Sequence, residues 1–204
     1  GGRLKPSLAL ILLCVLLVVV QIAGGASRGE VFGQVIVRGA AWLLLILAIL
    51  FCDRPNLRGA RPLVLLLAAV AVLPLVQLIP LPSSIWSALP GRDFVMRAAV
   101  AIGEPQPWRP WAIVPAATLN ALFSLIVPAT TLWLILCLKE EERARLPGVL
   151  LCLVLFSALV GLAQASGLLF DNPLINEAVG TVSGTFANRN HFALQMALGC
   201  VLAL

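Results

Sequence analysis

Unbroken apolar runs organise this chain. They cover about residues 8–23, 35–52, 63–79, 118–138, 148–169 and 190–204, and polar or charged segments separate them. None alternates with the two-residue period of a barrel strand, so helices are the elements that satisfy every backbone N–H and C=O without water. Runs of roughly 20 residues match the roughly 30 Å of hydrocarbon in a bilayer. The pattern predicts an all-α polytopic transmembrane bundle of about six helices, with residues 1–204 forming the N-terminal part of a multi-pass membrane domain. The last run is short and ends at Leu204 without a cap or flanking charge, and the chain begins with Gly1, so a fragment is expected. The two longest polar connections, 80–117 and 170–189, are expected as outer loops.

Composition strengthens this picture. The chain is 61% hydrophobic and 11% charged, with mean hydropathy +1.04, more apolar surface than a soluble core of 204 residues can bury. The net charge of +5 does not indicate nucleic acid, because the basic residues sit in clusters between apolar runs. Arg3, Lys5, Arg54, Arg58, Arg61, Lys139, Arg143 and Arg145 fall in short connections on one side. Arg28, Arg38, Arg92, Arg97, Arg109 and Arg189 fall in or beside longer segments on the other. Positive charge is denser on the N-terminal side, which places the N-terminus in the cytoplasm. The small residues Ala23 to Ser27 also allow the first run to be read as a cleaved signal peptide, with the same topology for the rest.

Local signals refine the connections. The segment 80–117 is rich in proline and holds Trp86, Trp108 and Trp111, as expected of a loop lying along the membrane surface. Ser83 or Ser84 is expected to cap a short helix stopped at Pro90-Gly91, with the Trp86 indole at headgroup level. Arg38 is near enough to the end of its run to snorkel, Pro128 is expected to kink the fourth run, and Lys139 to Arg145 reads as a compact charged turn. Cys14, Cys52, Cys137, Cys152 and Cys200 show no C-x-x-C spacing and no neighbouring histidine, so they read as small apolar residues, and no metal site or cofactor is expected.

The chemistry concentrates in Gly180-Thr-Val-Ser-Gly184-Thr-Phe-Ala-Asn188-Arg189-Asn190-His191-Phe192, where polar groups meet the start of an apolar helix. With Asn188 or Asn190 as cap, Arg189 and His191 fall in or beside the first turn, whose free N–H groups and positive dipole end favour an anion. A guanidinium fork there suits a phosphate or diphosphate. Arg189, Asn188 and Asn190 are therefore the candidate binding residues, and His191 is a candidate for proton transfer. The same residues also have a plainer reading, as capping asparagines, an arginine snorkelling to headgroups and a hydrogen-bonded structural histidine.

The segment Ser183 to Ala193 resembles the motif that opens the shared core of the O-antigen ligase and O-antigen polymerase family. Gln77 to Trp86 resembles the end of a family helix with its following outer loop, and Trp108-Arg-Pro110 through Leu119 resembles the entry into the next helix. The resemblance implies a metal-independent glycosyltransferase at the outer face of the bacterial inner membrane. It would take a glycan from an undecaprenyl diphosphate carrier to lipid A core, another glycan or a protein. It also implies that the large outer loop carrying catalytic arginines and a histidine lies beyond residue 204, so that this stretch alone is inactive. The sequence departs from the family in having Thr181 and Val182 where an arginine often precedes Ser-Gly-Thr-Phe. A transporter or flippase of an anionic or lipid-linked substrate, and a non-catalytic membrane scaffold, are the alternative classes. The first would be expected to carry ionisable groups at bilayer depth, which the runs lack apart from peripheral Arg38.

Overall fold

The computed structural model describes residues 5–26, 31–55, 57, 59–103, 108–168, 172–175 and 180–204. In chain order the elements are α1 (Leu8–Ala23), α2 (Phe32–Phe51), α3 (Arg61–Gln77), β1 (Pro80–Leu81), α4 (Ser83–Ser87), α5 (Asp93–Ala101), β2 (Arg109–Pro110), α6 (Pro115–Ser124), α7 (Ile126–Cys137), α8 (Glu140–Arg143), α9 (Leu146–Ala165) and α10 (Arg189–Leu202). Three lengths of helix, Phe32–Phe51, Pro115–Cys137 and Glu140–Ala165, are long and apolar enough to cross a membrane, while Leu8–Ala23 and Arg61–Gln77 are shorter apolar helices. The protein is thus mainly helical and built for a membrane.

The chain forms two compact units, one of residues 1–60 and 126–204 and one of residues 61–125. The first unit is centred on α1, α2 and α7. Ala9, Leu12, Leu13 and Leu16 recur at helical spacing on α1 and are buried, as are Val37, Ala41, Leu44 and Ala48 on α2. The alanines of α2 keep its backbone accessible, and the buried Thr130 of α7 donates its hydroxyl to the Ala41 carbonyl at 3.1 Å. The opposite faces, with Val15, Val18, Leu43 and Leu50, are exposed apolar surface suited to lipid.

Termini within this unit are tied by side chains. Ser7 caps α1, its Oγ accepting from the Leu10 amide at 3.2 Å. The buried Glu142 carboxylate accepts from the Ser7 amide at 2.7 Å, the Ser7 hydroxyl at 2.9 Å and the Lys139 amide at 3.2 Å. Arg143 donates to the Ile135 and Leu136 carbonyls in the last turn of α7 at 3.2 and 3.3 Å, the former also accepting from the Leu138 amide at 3.2 Å. The charged turn expected at Lys139 to Arg145 therefore clasps the start of α1 and the end of α7.

In the second unit α3 packs on α6, and β1 pairs antiparallel with β2 in the register Pro80 to Pro110 and Leu81 to Arg109. Two expectations change here. Pro82, not Ser83 or Ser84, holds the N-cap position of α4, and no side chain caps it. Trp86 is not a free interfacial anchor, because it is 4% exposed and its indole N–H donates to the Pro110 carbonyl at 2.9 Å. The expected Pro128 kink is present. The helix is interrupted at Leu125, three residues earlier, because proline lacks the N–H that would bond residue 124 and its ring crowds that carbonyl.

Candidate functional site

The loop preceding α10 lies in the first unit and is clamped by α1, α9 and α10. Two polar residues of α9, Ser157 and Gln164, face it, and Gly161 between them faces Phe192 of α10. Gln164 makes three contacts with loop backbone. Its Oε1 accepts from the Ser183 and Gly184 amides at 2.9 and 2.8 Å, and its Nε2 donates to the Gly184 carbonyl at 3.1 Å. Thr185 is buried between two helices, its hydroxyl accepting from Gln21 Nε2 of α1 at 2.8 Å and lying 3.2 Å from the Ser157 hydroxyl of α9. Gln195 of α10 closes the chain by donating to Gln21 Oε1 at 3.0 Å.

Glycines set the loop's path. Gly184 has φ of +62°, and a Cβ there would lie 2.5 Å from the Phe192 ring. A Cβ on Gly25 would lie 2.1 Å from the Thr185 carbonyl oxygen, and the Gly25 carbonyl accepts from the Ala187 amide at 2.9 Å. Gly161 leaves room for the Phe192 ring on α9, and Gly199 receives Val154. Packing therefore accounts for the glycine, threonine and backbone of the Ser-Gly-Thr-Phe segment, while the Ser183 hydroxyl is buried without a hydrogen-bond partner among the described residues.

Of the two asparagines, Asn188 is the cap, its Oδ1 accepting from the Asn190 amide at 2.8 Å. The expectation of free first-turn N–H groups changes accordingly. Asn190 is taken by the cap, and the His191 and Phe192 amides reach the Asn188 carbonyl at 3.0 and 3.3 Å. What remains for an anion is the helix dipole, the Arg189 amide and the exposed Arg189 guanidinium, neither of which has a hydrogen-bond or ion-pair partner among the described residues. Arg189, Asn190 and His191 are all exposed, and successive helical residues diverge by about 100° around the axis, so they do not converge on one point. The His191 ring meets Phe186 edge-on with centroids 6.3 Å apart.

Gln21, Ser157, Gln164 and Gln195 were not singled out in the sequence. Their signal was present as amides near the ends of apolar runs and as a small or polar stripe on α9, both of which mark helix contacts in a membrane. Parts of the 170–189 connection fall outside the described residues. Asn172 is described, donating to the Ile22 carbonyl at 2.8 Å and accepting from the Leu174 amide at 3.0 Å. Among the described residues no group of His, Cys, Asp and Glu is arranged to hold a metal ion, and the five cysteines are free thiols. The chain matches no protein-family model, no curated protein and no solved structure.

Proposed function

We propose that the protein takes part in glycosyl transfer of the O-antigen ligase and polymerase type. In this reading the chain crosses the bacterial inner membrane about six times from a cytoplasmic N-terminus, with 80–117 and 170–189 on the outer face. A glycan would pass there from undecaprenyl diphosphate to lipid A core, another glycan or a protein. Arg189 carries the reading: an unpaired guanidinium at the positive end of an apolar helix, held on a clamped loop whose sequence resembles the opening of that family's core.

Breaking the bond to a diphosphate leaves negative charge on the leaving group, and a fixed cation lowers the barrier by stabilising that charge as it develops. Asn188 serves by holding the helix start, Asn190 offers an exposed amide, and His191, on a different side of the helix from Arg189, is the weaker candidate, for proton transfer. The test uses the protein expressed from its whole gene. Arg189→Ala is expected to lower glycan transfer by about 100-fold while the protein stays folded, because an electrostatic donor is lost from an exposed position. Unchanged transfer and unchanged donor binding would overturn the assignment. A His191→Gln variant with full turnover would reduce His191 to its contact with Phe186.

A further inference from the structure

Arg92 and Arg109, with Trp86, form a second cationic centre within the 61–125 unit. Arg92 is only 4% exposed, and its Cζ lies 4.9 Å from the centroid of the Trp86 ring. Arg109 approaches the same ring at 5.4 Å. Both distances fit cation–π contact. The Arg92 Nη2 donates to the Trp111 carbonyl, yet its Nε and Nη1 are buried without a partner, as is Nε of Arg109. Neither arginine has a carboxylate partner among the described residues.

This is an expensive arrangement. A buried charge without a counterion is strongly disfavoured, and two like charges held against one indole add their repulsion. An aromatic face and one carbonyl compensate a small part of that cost. Beside Arg92 lies a cavity of about 360 Å³, bordered also by Gln77, Trp111, Ala117 and Thr118. Its volume is within the range of small-molecule sites.

We propose that this cavity binds a phosphate or diphosphate group, with Arg92, which borders it, and Arg109, which lies behind the shared indole, as the compensating cations. A monocarboxylate would leave one of the two charges uncompensated, whereas a phosphate dianion balances both. Planar guanidinium N–H groups also match its oxygens. Gln77 and Thr118 supply neutral polar groups at the same cavity. The site is independent of Arg189, and its failure or success leaves the glycan-transfer reading where it stands.

The experiment titrates the full chain in detergent micelles with inorganic pyrophosphate at low ionic strength. In parallel, native mass spectrometry counts retained phosphatidylglycerol against dioleoylglycerol, which has no phosphate. Saturable pyrophosphate binding without lipid retention supports the site with a free phosphate as its occupant. Retention of phosphatidylglycerol but not dioleoylglycerol supports it with a lipid headgroup as occupant. Arg92→Gln and Arg109→Gln are each expected to weaken binding by about tenfold or more, since each removes a charge-assisted donor or its field. Arg97→Gln, which removes an exposed cation of α5, is expected to change it by less than about twofold. Because Arg92 also holds the Trp111 carbonyl, Arg109→Gln carries the test if Arg92→Gln does not fold. Absence of binding in both assays, wild-type binding by a folded Arg109→Gln, or equal losses in Arg97→Gln and Arg109→Gln would overturn the proposal.

Discussion

The loop before α10 and the Trp86 centre bury polar groups in opposite ways. In the loop, Gln21, Ser157, Gln164, Thr185 and Gln195 are all neutral, and they bond one another or nearby backbone across three helices and the loop. The atoms buried there without a partner among the described residues, Ser183 Oγ and Gln195 Oε1, are neutral too. Around Trp86 the groups are cationic, and buried guanidinium N–H groups point at nothing that can accept them. A neutral network with paired donors stabilises one arrangement of helices and asks for no ligand. A buried cation without a counterion is costly until an anion arrives. Glu142 supplies the control: it too is almost wholly buried and charged, but three donors surround it, and nothing about it suggests a binding site.

The comparison can be broken first at Gly184. Gly184→Ala forces an L side chain into a left-handed backbone and drives its Cβ toward Phe192. It is expected to lower stability by about 3 kcal/mol in thermal or denaturant unfolding in micelles. Wild-type stability there would show that the loop is not clamped as described. Gln164→Ala leaves the Ser183 and Gly184 amides without their acceptor, at an expected loss of about 2 kcal/mol. A loss below about 0.5 kcal/mol would mean that water replaces the amide, and the loop would then be a wetter place than the network implies.

Glu142→Gln keeps the shape but removes the charge and sets an NH2 group against a donor. A loss of about 1.5 kcal/mol is expected from the Ser7 and Lys139 contacts. The smallest stability effect is expected from Arg109→Gln, near zero or slightly stabilising without added phosphate, because it relieves an unpaired charge. A large destabilisation by Arg109→Gln would erase the contrast between the two regions, since both would then be structural.

How much of this was legible beforehand follows from range. The apolar runs, the helix start near 189, the charged turn and the candidate Asn188 cap rest on patterns within a few residues, and helices lie on all six runs. The Pro128 kink was legible too, since proline disrupts the turn ahead of itself, whereas α4 starts one residue earlier than expected, with Pro82 at the N-cap position. The contacts of Trp86 were less legible still. A tryptophan in a proline-rich connection looks like an interfacial anchor, and only the β1 and β2 pairing shows that Pro110 and Arg109 come back to cover it.

The sequence by itself determined that the chain is helical, apolar enough for a membrane, and most unusual where asparagines and Arg189 open the last helix. Those properties depend on hydropathy and on the chemistry of neighbouring residues, which a linear pattern carries in full. Tertiary structure alone decided that Gln21 meets Thr185 across 164 positions, that Phe192 needs Gly161 and Gly184, and that two arginines share one indole. The helical period states which residues share a face. It does not state which face of a distant helix will lie opposite, and that is settled by the fit of side chains and by the demand that buried polar groups find partners.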